Sequence, residues 1–372
     1  MNRSQLWKVV SVVLLVCGLA SAQNAQNITT FTAPGAGTGA GQGTGGFGIN
    51  PQGTVVGSYL DDGNVFHGFQ CVSGCASPST FTTYNAPGAG TAANQGTITF
   101  SINPLGVTAG YYVDASNVAH GFVTAAPFKS FVTLTDPDAG QGPGQGTFAG
   151  NINLEGEIAG YYIDASNVSH GFVTSPPYRT FTSFDPEGSV NTLMPVASAL
   201  NLEGEVDGTY LDANGVFHGF VRYANGSITE FNVSGAGTGS GQGTSGSSIN
   251  DLGVATANYI DSSGANHGFV RGPFGNMTTF NVPEAGTGSG QGTIPEGIDL
   301  LGGITGQYVD SSNVNHGFVT APPYRTFTTF DAPGAGTGSG QGTLPATPNL
   351  FGVITGQYID ASNVHYGFLR YP

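Results

Sequence analysis

Residues 292–333 read GTIPEGIDLLGGITGQYVDSSNVNHGFVTAPPYRTFTTFDAP. Four short runs rich in β-branched and aromatic residues stand out, at about Ile294–Asp299, Gly303–Val309, Val314–Thr320 and Thr326–Asp331. Turn signals separate them: Leu300-Leu301-Gly302, Asp310-Ser311-Ser312-Asn313 and Pro322-Pro323-Tyr324. In the second run Ile304, Gly306 and Tyr308 share one side, and Thr305, Gln307 and Val309 the other, which is the alternation of a strand. Glycine and proline interrupt every segment long enough for a helix, and no apolar run keeps a helical period. The stretch therefore predicts four antiparallel strands. A glycine-rich connection, Pro333–Thr343, leads out of it.

The same unit recurs along the chain. His-Gly-Phe begins at His67, His120, His170, His218, His267 and His316, and Tyr366-Gly367-Phe368 is a variant copy. The spacings are 53, 50, 48, 49, 49 and 50 residues. A period near fifty with four strands per repeat is the signature of a propeller blade. The phase of the chain agrees. Ile28–Pro34 matches a fourth strand without its blade, and the C-terminal Tyr366–Tyr371 matches a third strand without its fourth. An N-terminal strand that completes the last blade closes the ring and leaves only short, protected edges. The expected fold is all-β: a seven-bladed β-propeller of ~50-residue four-stranded repeats. An open solenoid would need capping repeats, and none is found.

The pattern I-N-x-x-G-x-I-x-G-x-Y-x-D-x-S-N-V-x-H-G-F-V is clearest at Ile102–Val123 and Ile152–Val173. It resembles the HAF-type extracellular repeat of bacterial exported proteins, here in a His-Gly-Phe variant, over essentially the whole chain after residue 22. The resemblance implies a bacterial exported protein. It implies no activity, because that family has none in general.

The first 22 residues read as a signal peptide. Arg3 and Lys8 form a basic start, Val9–Ala20 an apolar segment, and Ala20-Ser21-Ala22 a small-residue cleavage site. The apolar segment is too short for a typical membrane span. A lipoprotein reading at Cys17 is weaker, since bulky Val16 precedes it. Cleavage leaves residues 23–372 as a single propeller domain, soluble and secreted to the extracellular space or periplasm. Two cysteines remain, Cys71 and Cys75. In an oxidising compartment a close pair is expected as a disulfide, and two thiolates fall short of a zinc set.

The full chain has 8 basic and 23 acidic side chains, a formal charge of −15. Excess negative charge disfavours nucleic acid and anionic lipid as partners and favours cations or basic ligands. Every basic residue after the signal segment falls at the end of a third strand or in the turn after it: Lys129, Arg179, Arg222, Arg271, Arg325 and Arg370. They are expected on one face of the disc as candidate binding-face residues. Lys129, Arg179 and Arg325 lie beside Phe128, Tyr178 and Tyr324, a candidate stacking arrangement for sugars, though surface residues lying along apolar neighbours is the commoner reading. The opposite face is expected to collect the carboxylates of the second turn, among them Asp61, Asp62, Asp114, Asp164, Asp212, Asp261, Asp310 and Asp360. Asp136, Asp138, Asp185, Glu187, Glu284 and Asp331 join them from the ends of the fourth strands.

Asp114, Asp164, Asp310 and Asp360 open D-x-S-N turns and are candidate Ca²⁺ ligands. One carboxylate with neutral oxygens is a poorer donor set than a calcium loop uses, and an Asx turn is the simpler account. Six histidines at one strand position read as a repeated packing residue, since catalysis needs unlike groups to converge. The glycine-rich connections lack the lysine and following helix of a phosphate loop. Symmetry breaks most clearly at Asp185–Leu200, near Glu155, Glu157, Glu203, Glu205 and Asp207. Paired carboxylates suit glycoside chemistry, while a solvated acidic surface is the usual fate of such residues.

These readings converge on a secreted, non-catalytic binding or structural module, expected as a monomer without a cofactor. Its expected partner is an extracellular polysaccharide, a surface protein or a divalent cation. The alternative is an extracellular glycan hydrolase or lyase on a propeller scaffold.

Overall fold

The computed structural model describes residues 27–193 and 199–372. Residues 1–26, which hold the expected signal peptide and Cys17, and part of the asymmetric connection, Met194–Ser198, lie outside the described residues. The described chain is all-β apart from two short 3-10 turns, Ser73–Cys75 and Pro78–Thr80.

The repeat quoted above folds as Gly292–Ile298, Ile304–Val309, Asn315–Thr320 and Phe327–Phe330, each paired antiparallel to the one before. Its first strand starts two residues earlier than the sequence suggests, because Gly292 also meets Asn266 of the preceding repeat in a parallel bridge. The same order begins with Gly43–Ile49, Val55–Leu60, Phe66–Cys71 and Phe81–Tyr84. It ends with Gly342–Pro348, Ile354–Ile359 and His365–Arg370, whose fourth partner is Ile28–Phe31 from the other end of the chain. Gly43 bridges His365, and Thr347 Oγ1 donates to the Phe47 carbonyl at 3.2 Å, so the first and last repeats are neighbours.

The core lies between successive sheets. The phenylalanine of the His-Gly-Phe triplet is its centre: Phe69, Phe122, Phe172, Phe220, Phe269, Phe318 and Phe368 are all at most 1% exposed. Each of several meets an aromatic of the preceding outer strand edge-on, as in Phe330–Phe368 at 6.1 Å and Phe31–Phe69 at 6.2 Å, the favoured geometry for a ring pair. Such close sheets need glycine in the strand. A Cβ on Gly306 would run into the Ile294 carbonyl and the Phe318 ring.

The glycine-rich connections are tightly wound and pinned. Gln341 accepts from the Gly338 N–H at 2.8 Å and donates to Asn363 Oδ1 at 3.0 Å. Gly340 N–H donates back to the Asn313 carbonyl at 2.7 Å. One connection thus ties the second turns of two adjacent repeats, and Gln42, Gln95, Gln145 and Gln291 repeat the arrangement. The break at Asp185–Leu200 has a local reason. Asn191 stands where the other repeats have Gly, and its Oδ1 accepts from Ser169 N–H at 3.1 Å, a bond that the carbonyl of the Gln before that Gly accepts elsewhere. Cys71 and Cys75 are joined by a disulfide, both buried, with Cα atoms 5.3 Å apart.

Candidate binding site at the central channel

The repeated polar groups prove to hold the scaffold together. Each second-turn aspartate caps its own turn: Asp114 Oδ1 accepts from Ser116 N–H at 2.8 Å and Val118 N–H at 2.9 Å. Its other oxygen faces His120 Nε2 at 3.2 Å. Partial burial opposes ionisation of Asp114, but the Val118 N–H and the His120 ring outweigh it and hold the carboxyl below its ordinary value. Asp164 and Asp310 use Oδ1 in the same way and face His170 and His316 at 3.7 and 3.6 Å. Asp360 caps Ser362 and Val364, with Tyr366 in the histidine position. All four calcium candidates thus commit Oδ1 to backbone N–H groups of their own turns. Among the described residues no three His, Cys, Asp or Glu side chains gather as a metal set.

The histidines complete these caps. His316 stacks on Tyr308 at 4.9 Å, and its Nδ1 meets Asp331 Oδ1 at 2.9 Å. His67, His218 and His267 meet Asn85, Asn232 and Asn281 in the equivalent place. The ring thus bridges the second, third and outer strands of one repeat, and the histidines stay apart from one another.

The basic residues divide into two groups. Lys129, Arg179 and Arg325 are exposed in the turn after the third strand. Arg222 and Arg271 are buried, and Arg370 is half-buried, which corrects their reading as binding-face residues. Each guanidinium lies over a phenylalanine of the preceding repeat: Arg222 over Phe184 at 5.0 Å, Arg271 over Phe231 at 5.2 Å and Arg370 over Phe330 at 4.9 Å. These are cation–π contacts between sheets. The expected stacking aromatics are turned inward too. Phe128 stacks on Tyr84 at 4.2 Å, Tyr324 on Phe280 at 5.8 Å, and the Tyr178 hydroxyl donates to the Gly156 carbonyl at 2.8 Å.

Two carboxylates read as surface residues are buried instead. Asp136 is 1% exposed, at a place where other repeats have Ala, Val or Pro, and its Oδ2 has no hydrogen-bond partner. Asp207 is fully buried; its Oδ2 accepts from Ser247 N–H at 2.9 Å while Oδ1 is unpaired. Burial pushes both carboxyls above their ordinary value, Asp207 far above. Glu157 and Glu205 accept from Asn153 and Asn201, each at 2.8 Å, and so order the first turns.

Those first turns encircle one mouth. Asn103, Asn153 and Asn201 each donate from Nδ2 to the carbonyl of the next repeat's turn, at 3.1 Å, and Asn349 donates across the seam to Asn50 at 3.1 Å. Asp299 takes the asparagine position in one repeat. These turns line a cavity of about 310 Å³.

Deeper along the axis the repeats stop resembling one another. The innermost strands carry a bulge at one shared position, opposite Gly46/Gly48, Thr99/Ser101, Ala149/Asn151, Pro295/Gly297 and Pro345/Pro348. A bulge leaves one residue unpaired and re-aims its side chain. The residues at this position are Phe47, Phe100, Gly150, Glu296 and Ala346, with Ser247 in the equivalent place. Phe47, Phe100, Ser247, Glu296 and Ala346 line a second cavity of about 320 Å³, with Gln307 and Gln357 from the second strands. Phe100 and Thr347 line both cavities, so the two are adjacent.

The inner wall is chemically lopsided. Phe47, Phe100, Tyr111, Phe148 and Tyr161 form a continuous aromatic arc, with successive centroids 5.4, 5.7, 4.9 and 4.7 Å apart. Glu296 lies on the wall of the inner cavity, its carboxyl makes no hydrogen bond or ion pair among the described residues, and desolvation pushes it up to about 7. Sequence reasoning passed over Phe47, Phe100 and Glu296. The available signal was variation: with the repeats aligned, the Gly-Thr that opens the inner strand and the Asn or Asp after it recur in nearly every repeat, while the positions between them change chemistry.

No family model matches the chain, and no curated protein sequence is similar to it. Solved structures are. The β-propeller domain of the Trilobed protease from Pyrococcus furiosus aligns over 92% of this chain and 95% of its own, with 6% identity and a TM-score of 0.50. The BP39L lectin from Burkholderia pseudomallei aligns over 87% and 94%, with 10% identity and a TM-score of 0.54. At such identities the likeness is one of fold, and it makes this chain an all-β, propeller-like protein.

Proposed function

We infer that this chain is a seven-bladed β-propeller, exported behind a cleaved signal segment, that binds glycan in its central channel without catalysing a reaction. One observation carries the reading. The bulge of the inner strands aims Phe47 and Phe100 into the same cavity as Gln307, Gln357 and Glu296. Aromatic faces receive the C–H surfaces of a sugar ring, and amides receive its hydroxyls. A cavity of about 320 Å³ lies at the lower end of small-molecule sites. Seven short turns around the mouth suit one terminal or extended saccharide better than a protein surface.

Glycoside cleavage needs two carboxyl groups placed about one bond. Glu296 is the one titratable side chain on this inner cavity among the described residues, Asp251 and Asp299 line the mouth cavity instead, and Asp207 is buried behind Ser247. The arrangement supports binding over hydrolysis. The HAF-type resemblance supports export and an extracellular or periplasmic setting. The test is calorimetric titration with neutral oligosaccharides, β-linked glucose and N-acetylglucosamine oligomers among them, against wild type and Phe47→Ala/Phe100→Ala. Binding that the double variant loses supports the channel site. Binding left intact by the double variant places the site elsewhere.

A further inference from the structure

The channel carboxylate narrows the ligand further, given the glycan-binding reading above. Glu296 departs from every other residue at the bulge position, all of which are uncharged. Its surroundings on the cavity wall are Pro345, Leu344, Ala346 and, among the aromatics, Phe47 and Phe100. No Lys, Arg or His lines this cavity, and the nearby Ser247 donates to the Glu296 backbone carbonyl, not to its carboxylate. Glu296 is half-buried, and partial desolvation of a carboxylate without a counter-charge disfavours its charged form. A cationic ligand group reverses that preference when it binds. The aromatic faces point to the same charge, because the negative face of a ring attracts an ammonium.

We propose that the inner channel is a subsite for an amino sugar with a free ammonium group, held as an ion pair by Glu296, against the Phe47 and Phe100 rings, with hydroxyls hydrogen-bonded by Gln307 and Gln357. Gln357 is held in place by its own partner, since its Oε1 lies 3.1 Å from His365 Nδ1, which leaves its amide N–H₂ group free to donate. The charge of the whole chain favours the same ligand, with its 23 acidic against 8 basic residues.

The proposal separates two ligands that differ by one acetyl group. Glucosamine oligomers and N-acetylglucosamine oligomers of equal length are titrated at pH 7 against wild type and Glu296→Gln, an isosteric change whose fold is checked by its far-UV spectrum. Wild type is expected to bind the glucosamine oligomer about tenfold or more tightly than the acetylated one, and Glu296→Gln to lose that preference while retaining the weaker binding. Raised salt is expected to weaken the wild-type preference. Equal binding of both oligomers by wild type, or a preference that survives Glu296→Gln, overturns the ammonium subsite and leaves glycan binding standing. Binding of neither oligomer overturns glycan binding itself. Tetramethylammonium is then titrated alone, and a Glu296-dependent signal supports a cation site in the channel, whereas none overturns that as well.

Discussion

Replacing Phe31 by Ala tests whether the two ends of the chain close one ring. Phe31 is the last residue of the N-terminal strand, 6% exposed, edge-on to Phe69 at 6.2 Å and near Phe81 at 6.0 Å. Its structural twin is Phe330, 3% exposed and edge-on to Phe368 at 6.1 Å, but its strand is covalently continuous with its own repeat. Truncating a buried phenylalanine costs about 3–5 kcal/mol. The entropy of unfolding scales with length at about 2.1 cal/mol/K per residue, so in a ring of this size the melting temperature falls by roughly 4–7 °C. If the N-terminal strand completes the last repeat, Phe31→Ala and Phe330→Ala lower the melting temperature by similar amounts. Both are read by calorimetry, with hydrogen exchange reporting on His365–Arg370, the strand that Ile28–Phe31 covers. A Phe31→Ala melt equal to wild type, alongside a depressed Phe330→Ala melt, would refute ring closure.

Four further expectations follow from the same contacts. Gly43→Ala should destabilise by ~3 kcal/mol or more, since Gly43 has φ +117° and a Cβ there meets the His365 carbonyl; an unchanged denaturation midpoint would remove the close approach. Asp136→Ala should stabilise by roughly 1–2 kcal/mol, because it deletes a buried carboxyl oxygen with no partner; urea titration reads it, and a loss of stability would show that the carboxyl is needed. Glu296 has a folded value of about 7 against an ordinary 4.5, so the folded state holds more protons between these values and stability falls as pH rises through that window. Glu296→Gln should therefore raise the melting temperature at pH 8 and leave it unchanged at pH 4; equal shifts at both would exclude titration of this group. Calcium at millimolar concentration should leave the melting temperature where EDTA leaves it, since the caps at Asp114, Asp164, Asp310 and Asp360 already use Oδ1 for backbone N–H groups; a calcium-dependent rise would make those turns cation sites.

The repeat, its four strands and the turns between them were legible in the chain, because each rests on local chemistry. Alternation places Thr305 and Gln307 on one side of a strand, Asp310-Ser311-Ser312-Asn313 can only be a turn, and a period near fifty copies the unit. Pairing of Ile28–Phe31 with His365–Arg370 also followed, from phase alone. Burial did not. Arg222 and Arg271 read as surface cations until neighbouring sheets put Phe184 and Phe231 beneath them, and Asp136 and Asp207 read as solvated until the packing enclosed them. The channel site was hidden for a related reason. A bulge is a matter of register between two strands, so its inward residue cannot be told from its neighbours by period or composition. Only the arrangement of inner strands brings Phe47 and Phe100, from the first and second repeats, to one cavity with Glu296 from the sixth. Local propensity determined the unit, and long-range packing decided which of its side chains share a cavity.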